Sequence, residues 1–283
     1  MLKKLFSSIG SFGLKLTKQP GIRAALADTY TLSLCCIIKD ENDYLEEWIN
    51  YHLKTGVEHF YIYDNSSKVP VYDTLKKLNL LQYATVTRIR GKAKQVRAYN
   101  KCLKKYGKTS QWIGFIDTDE FMVPKTTSGN LVEFLKDYQD YGGLGINWLV
   151  FGSNGHIKKT NRPQLESFTL RSDETFSVNS HIKNIVQPRF TKEALGAHSF
   201  AYKDGKFCVN ENFVRIDGSF SEVSVNKIQL NHYYCRSKEE YDAKVKRGYG
   251  DTSKKRKVDE FYYHDKDANK VEDTTILQLF QGQ

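Results

Sequence analysis

The sequence predicts an α/β protein with a mostly parallel central sheet flanked by helices. Two observations in the first half of the chain lead to this class. Short apolar runs alternate with segments whose apolar residues recur every three or four positions, as strands alternate with amphipathic helices. Polar clusters follow three of the apolar runs directly. Such an alternation favours parallel strands joined by right-handed crossovers.

Each element of the first half has its own signal. Residues 33–38 form a continuous apolar run, which is typical of a strand buried on both faces. Further strands are predicted at 60–63, 84–89 and 112–116, and helices at 44–53, 71–79 and 95–106. The polar clusters 39–42, 64–67 and 117–120 lie at strand ends. Because ligands of parallel sheets bind beyond the carboxyl ends of the strands, these clusters are expected to converge on one crevice.

The second half of the chain predicts mixed structure. Strands are predicted at 144–150, 166–170, 206–209, 214–216 and 227–230, and a helix at 238–247. No linker rich in proline, glycine or serine divides the chain, so one domain is predicted over residues 29–250. A basic and polar tail is predicted over residues 251–283.

Residues 1–28 differ from the rest of the chain. Apolar residues recur there at helical spacing, and five basic residues precede the first acid, Asp28. A basic amphipathic helix can lie in an anionic membrane interface. A helix packed on the body of the protein, or a frayed tail, is the alternative.

Composition narrows the classes of protein further. The formal net charge of +10 favours anionic partners, namely nucleic acid, a membrane surface or a phosphorylated substrate. No apolar run is long enough to span a bilayer. The five cysteines match no zinc spacing, and a reducing compartment is the simplest inference. A cytoplasmic protein is expected, with possible attachment at the inner membrane face.

Asp117 and Asp119 follow the predicted strand 112–116 directly. In an extended segment two residues at this spacing point the same way. Two carboxylates on one side are costly unless a cation joins them, and Mg²⁺ or Mn²⁺ prefers such oxygen ligands. A metal held there could bridge a diphosphate. A solvated turn is the plainer explanation of an Asp-X-Asp motif on its own.

Several ordered motifs together resemble glycosyltransferase family 92 and the related bacterial family-2-like transferases. They are IIKDEN at 37–42, YLEEW at 44–48, FYIYDN at 60–65, DTDEF at 117–121, FGSNGH at 151–156, KNIV at 183–186 and NHYY at 231–234. The resemblance runs from about residue 32 to residue 248. It implies a GT-A (Rossmann-like) fold, a nucleotide-sugar donor, a divalent metal and inversion at the anomeric carbon.

The resemblance also implies roles for individual residues. Asp117 and Asp119 would bind the metal, Asp119 being catalytic as well, and His232 would complete the metal site, with His198 as its rival. The donor-binding residues would be Lys39, Glu41, Asp64, Gln95, Arg97, Asn100 and Asp117. Each has a plainer alternative, since loop charges, turn residues and buried histidines are common.

An inverting transferase needs a general base near the acceptor hydroxyl. Glu166 is the first candidate, ahead of Asp173, Glu174 and Glu211. The basic groups 244–247 and 254–257 could clamp a diphosphate or face an anionic lipid, although most charge runs are solvated faces.

The sequence therefore favours a hexosyltransferase that depends on Mn²⁺ or Mg²⁺. It would move a sugar from a nucleotide donor, with a uridine diphosphate sugar preferred, to a glycan or glycolipid acceptor of capsule or lipopolysaccharide type. No nucleic-acid partner is expected, since no known binding motif is present. The rivals are a basic nucleic-acid-binding protein, a metal-dependent nucleotidyltransferase or phosphohydrolase, and a non-catalytic sugar-binding protein.

Overall fold

A ten-stranded sheet is the centre of the protein, which a computed structural model describes over residues 30–279. The strands are β1 Tyr30–Ile38, β2 His59–Asp64, β3 Ala84–Arg88, β4 Ser110–Phe115, β5 Glu120–Pro124, β6 Gly143–Val150, β7 Leu170–Arg171, β8 Ile182–Val186, β9 Thr191–Ala194, β10 Phe200–Tyr202, β11 Cys208–Val209, β12 Arg215–Ile216, β13 Ile228–His232 and β14 Val271–Glu272. The helices are α1 Leu45–Lys54, α2 Val71–Lys77, α3 Gln95–Tyr106, α4 Leu131–Leu135, α5 Gln164–Ser167, α6 Lys238–Arg247, α7 Asp259–Asp267 and α8 Thr275–Gln278. The predicted membrane-associated segment 1–28 lies outside the described residues.

The strand order confirms the predicted α/β class with its mixed second half. The main path runs β12-β11-β6-β8-β4-β1-β2-β3, and β13 joins β6 to β5. The neighbours β4, β1, β2 and β3 are parallel. Strand β8 is antiparallel to both β4 and β6. The parallel part is the half that carries the alternating strands and helices in the sequence.

Helices cover both faces of the sheet, which explains the continuous apolar run in β1. Leu34 and Cys36 face one core cluster, which also contains Trp48 of α1. Cys35 between them faces a second cluster, with Tyr99 of α3. A strand has side chains on alternate faces, so burial on both sides requires every position to be apolar.

Two segments of the second half differ from the sequence expectation. The predicted strand 166–170 is instead the short helix α5 followed by the two-residue strand β7, because Pro163 and Gln164 begin a helical turn. Residues 251–279, predicted to be a tail, contain α7, β14 and α8, and β14 pairs with β7. This part of the chain packs against the domain.

All five cysteines are buried free thiols. Among residues 30–279, no helix has the length and apolar character needed to cross a membrane.

Candidate active site at the carboxyl edge of the sheet

A cleft of about 720 Å³ opens where the strands β1, β2, β4 and β13 end. Residues from each strand end line it, including Lys39, Asn65, Asp117 and His232. Helices α6 and α7 and the segment between them form the opposite wall. The convergence of strand ends expected from the sequence is therefore present.

Backbone contacts fix the turn that carries Asp117 and Asp119. The Asp117 N–H donates to Oε2 of Glu120 at 2.8 Å, and the Tyr233 N–H donates to the carbonyl of Asp119 at 2.8 Å. The indole N–H of Trp48 donates to the carbonyl of Glu120 at 2.9 Å. The first contact closes the turn on itself, and the other two tie it to α1 and to the residue after β13, so its two carboxylates have defined positions.

Each of the two carboxylates is held by its own lysine. Lys183 Nζ donates to Asp117 Oδ2 at 2.8 Å, and Lys244 Nζ donates to Asp119 Oδ2 at 2.5 Å. Gln95 Nε2 donates to the other oxygen of Asp117 at 2.7 Å. Both lysine side chains are buried, with 1% and 11% of their surface exposed. Buried charges of this kind occur in pairs, because an isolated charge is very costly to desolvate.

The buried charges determine which of the side chains around the Asp-Thr-Asp turn are ionised. Although burial opposes ionisation, Lys244 and His232 hold the pKa of Asp119 well below its usual range. Although burial disfavours its charge, the carboxylates of Asp117 and Glu120 hold the pKa of Lys183 well above its usual range. Burial, aided by the neighbouring aspartates, raises the pKa of Glu120 to about 8. Asp119 is therefore ionised at neutral pH, whereas Glu120 is mostly protonated.

His232, which the family resemblance predicts as a metal ligand, lies beside Asp119. Its Nε2 is 3.7 Å from Asp119 Oδ2, and burial lowers its pKa to about 4, so the ring is neutral at neutral pH. Its buried Nδ1 has no hydrogen-bond partner among the described residues. The rival, His198, also lines the cleft, with its Nδ1 2.8 Å from the carbonyl of Ile182.

These side chains fit a divalent metal only in part. Among residues 30–279, no group of three or more His, Cys, Asp or Glu side chains is placed to chelate an ion. Asp117 and Asp119 could each supply a carboxylate oxygen. Mg²⁺ is commonly bound in this way, through one or two carboxylates with the remaining ligands from substrate phosphates and water.

A second set of buried charges lies next to the carboxylate pair. Glu41 forms ion pairs with both Arg236 and Arg247. Although burial disfavours its charge, these arginines hold the pKa of Glu41 below its ordinary value. Lys39, two residues earlier, lines the cleft and is exposed. Arg236 has a left-handed backbone with φ of 49°, a conformation that costs energy and clusters at functional sites.

Three of the predicted donor-binding residues lie elsewhere. Asp64 accepts hydrogen bonds from the backbone N–H groups of Ser67 and Val71, so its carboxylate fixes the turn before α2. Asn100 bonds both backbone groups of Ala194 and holds β9 against α3. Arg97 is exposed on α3 and is not among the described residues that line the cleft. Asn65 and Ser66, which follow Asp64, line the cleft in its place.

The predicted base Glu166 is also outside the cleft. It lies on α5 and pairs with Arg162 at 3.3 Å on the surface. The alternatives Asp173, Glu174 and Glu211 do not line the cleft either. The buried Glu211 instead accepts hydrogen bonds from three backbone N–H groups. A base must reach the acceptor hydroxyl, so none of the four is positioned for the role.

The family model for glycosyltransferase family 92 matches residues 29–279, most of the chain. The chain belongs to glycosyltransferase family 92. This confirms the family indicated by the ordered motifs.

Similar proteins include plant members of family 92. Glycosyltransferase family 92 protein Os08g0121900 of Oryza sativa subsp. japonica is 28% identical over 72% of this chain and 33% of its own length. Protein RCOM_0530710 of Ricinus communis is 27% identical over 62% of this chain and 32% of its own length. The chain thus spans about a third of these relatives. A solved structure of S. aureus TarS 1–349 in complex with UDP is 15% identical, covers 56% of this chain and 47% of that one, and has a TM-score of 0.40.

In this member of family 92, the sequence predicts no role for Lys183 or Arg236, which pair with the acids beside the cleft. Lys183 lies in the KNIV motif, and Arg236 lies in none of the motifs. Lys244 and Arg247 belong to the basic group 244–247, for which a diphosphate clamp, a lipid contact and a solvated face are the predicted alternatives, and both line the cleft. Glu260, in the predicted tail, lines the cleft and accepts a hydrogen bond from the Tyr249 hydroxyl at 2.5 Å.

Proposed function

We propose that this domain is a glycosyltransferase that binds a nucleotide sugar in the cleft and transfers its hexose to a glycan or glycolipid. The observation that carries this proposal is the pair Asp117 and Asp119, which lies in a cleft at the strand ends of a family 92 chain. Each of the two carboxylates accepts a hydrogen bond from a lysine. A uridine diphosphate sugar is the preferred donor.

The diphosphate of the donor would lie between the Asp-Thr-Asp turn and helix α6. Lys244 and Arg247 are one helical turn apart on α6 and both line this part of the cleft. Ammonium and guanidinium groups form strong charge-assisted bonds with phosphate oxygens. A divalent ion on Asp117 and Asp119 would offset further charge on the diphosphate as it leaves. Gln95 and Lys183 hold Asp117 in place for this role.

The nucleoside would occupy the end of the cleft next to β1 and β2. Lys39, Asn65 and Ser66 line that end, with Gly91 and Lys92 from the loop before α3. Gly91 has a φ of 104°, which an L residue rarely adopts, so the loop takes a path that glycine allows. The Asn65 amide donates to the carbonyls of Ile89 and Gly91, which fixes the loop against β2.

We assign the general base of an inverting transfer to Asp251. Four other acids that line the cleft already have partners. Glu41 forms ion pairs with two arginines, and Asp117 and Asp119 form ion pairs with lysines. Glu260 accepts hydrogen bonds from tyrosine hydroxyls. Asp251 lines the cleft, is exposed, and has no hydrogen bond or ion pair with a described residue. Its carboxylate is free to take the proton of an acceptor hydroxyl as the new glycosidic bond forms.

We further propose an acceptor of capsule or lipopolysaccharide type. The support is the basic amphipathic pattern of residues 1–28, which would hold the domain at an anionic membrane surface where such acceptors are assembled.

The test is release of a nucleoside diphosphate from uridine, guanosine and deoxythymidine diphosphate hexoses, with a panel of glycan and glycolipid acceptors. We expect one donor to be consumed only when an acceptor is present, and Asp119→Asn to abolish this turnover. Glu166→Gln is the matched control and should retain it. Consumption of a nucleoside triphosphate without any sugar would instead identify a nucleotidyltransferase or phosphohydrolase.

A further inference from the structure

The buried charges beside the Asp-Thr-Asp turn include no surplus negative charge before any ligand binds. Four acids, Asp117, Asp119, Glu41 and Glu120, lie within 4 Å of basic groups. The four basic partners are Lys183, Lys244, Arg236 and Arg247. Even with all four acids ionised, the basic groups equal them in charge, whereas a divalent cation is attracted to sites with surplus negative charge.

The Lys244 ammonium is already bound to the Asp119 carboxylate, the group that would hold a metal. Its Nζ is 2.5 Å from Asp119 Oδ2, and it also donates to the carbonyl of Tyr234 at 2.9 Å. An ion bound to that carboxylate oxygen would place two positive charges beside the ammonium. Because like charges at such a distance repel strongly when partly buried, the two cations compete for Asp119.

Lys244, unlike Lys183, is placed to leave its carboxylate. Lys183 has 1% of its side chain exposed and contacts both Asp117 and Glu120, whereas Lys244 lines the cleft. Arg247 lines the same wall one turn further along α6. A diphosphate in the cleft would therefore offer the Lys244 ammonium a second anionic partner.

We propose that Lys244 is the resident counter-cation of Asp119, so that a divalent metal and a nucleoside diphosphate bind together rather than separately. A bound diphosphate would draw the Lys244 ammonium away from Asp119, and the vacated carboxylate would then be available to hold a divalent metal. The inference rests on the proposed nucleotide-sugar donor. It adds a coupling between two ligands and names the side chain that produces it.

Binding of Mn²⁺ to the full-length protein, followed by the electron paramagnetic resonance signal of free Mn²⁺, tests this proposal. Titrations are run with and without uridine diphosphate. In the wild type we expect the diphosphate to raise Mn²⁺ affinity about tenfold or more, and Mn²⁺ to raise diphosphate affinity by the same factor. Asp119→Asn should remove this coupling.

Lys244→Met, with Lys244→Gln as a second variant, should bind Mn²⁺ alone about tenfold more tightly than the wild type and lose most of the coupling. Lys246→Met is the matched control, because Lys246 lies on the same helix and is exposed. Equal Mn²⁺ affinity in the wild type and the Lys244 variants, without nucleotide, would overturn the proposal. So would diphosphate binding that is the same with Mn²⁺ and with chelator. If no nucleoside diphosphate binds at all, the proposed function fails, while the comparison with Mn²⁺ alone still decides the role of Lys244.

Discussion

Asp251 differs from the other acids of the cleft because no described side chain holds it. If it is the general base, Asp251→Asn should lower kcat by about 100-fold or more, since positioned proton transfer contributes about that much. The affinity for the donor should stay unchanged, because Asp251 has no part in the proposed diphosphate site. Initial rates and a separate donor titration measure the two quantities. Wild-type turnover in Asp251→Asn would remove the residue from the mechanism.

Long-range ion pairs limit how much of this site the sequence can reveal. Asp117 and Asp119 are recognisable because they follow an apolar strand directly. Their partners Lys183 and Lys244 are 66 and 125 residues away along the chain, and no local pattern links them. Asp64 is an error of the other kind, a residue that the sequence marks as a ligand contact but that has a local structural role. An acid at a strand end can stabilise the following turn instead of binding a ligand, and the Asp64 carboxylate accepts the Ser67 N–H.

Helix α6 carries the two basic residues proposed for the diphosphate, and its start is defined by a capping box. The Ser237 hydroxyl accepts the Glu240 N–H, and the Glu240 carboxylate accepts the Ser237 N–H. Ser237→Ala should lower the free energy of unfolding by about 1 kcal/mol, the usual loss for such a cap. Urea denaturation measures it. Ser177→Ala, at an exposed serine whose hydroxyl has no hydrogen bond with a described residue, is the control, and an equal loss there would contradict the role of the cap.

At the scale of elements, periodicity locates long segments and misses short ones. Helices α3 and α6 begin and end where the sequence predicts, because each has an apolar or capping signal and a glycine beyond its end. Strand β8 was not predicted, although it joins the two halves of the sheet. Its five residues include the buried Lys183 and Asn184, so polar side chains interrupt the apolar run that marks a strand.

The whole molecule should lose stability in mild acid, because several histidines are buried in neutral form. Burial lowers the pKa of His52 to about 3 from an ordinary value of 6.5. Between these values the unfolded chain binds a proton that the folded protein does not, so protons favour unfolding as the pH falls. Each such histidine contributes about 1.4 kcal/mol per pH unit in this window.

His52→Gln should therefore be less stable than the wild type at pH 7 but lose stability less steeply between pH 6 and pH 4. Urea denaturation at several pH values gives the two slopes. Parallel slopes would show that His52 does not titrate with unfolding.

The class of the whole fold is predictable from the first half of the chain, because alternating strands and helices leave few topologies open. The structure of the second half is less predictable. The antiparallel insertion of β8 and the packing of α7 over the cleft depend on contacts between distant residues. The strand ends on one side of the cleft are predictable from the sequence. The opposite wall, formed by α6, α7 and the segment between them, is not, because it depends on the same distant contacts.

The most direct test of the central claim is thermal unfolding of the protein with a panel of nucleoside diphosphates and nucleotide sugars, each with Mn²⁺ or with chelator. A ligand that binds only the folded state raises the midpoint. We predict that one nucleotide sugar raises it with Mn²⁺, that Arg97→Ala responds like the wild type, and that Asp117→Asn/Asp119→Asn loses the metal-dependent rise. If no nucleotide moves the midpoint of the well-folded protein, or if the double variant responds fully, the cleft is not a nucleotide-sugar site.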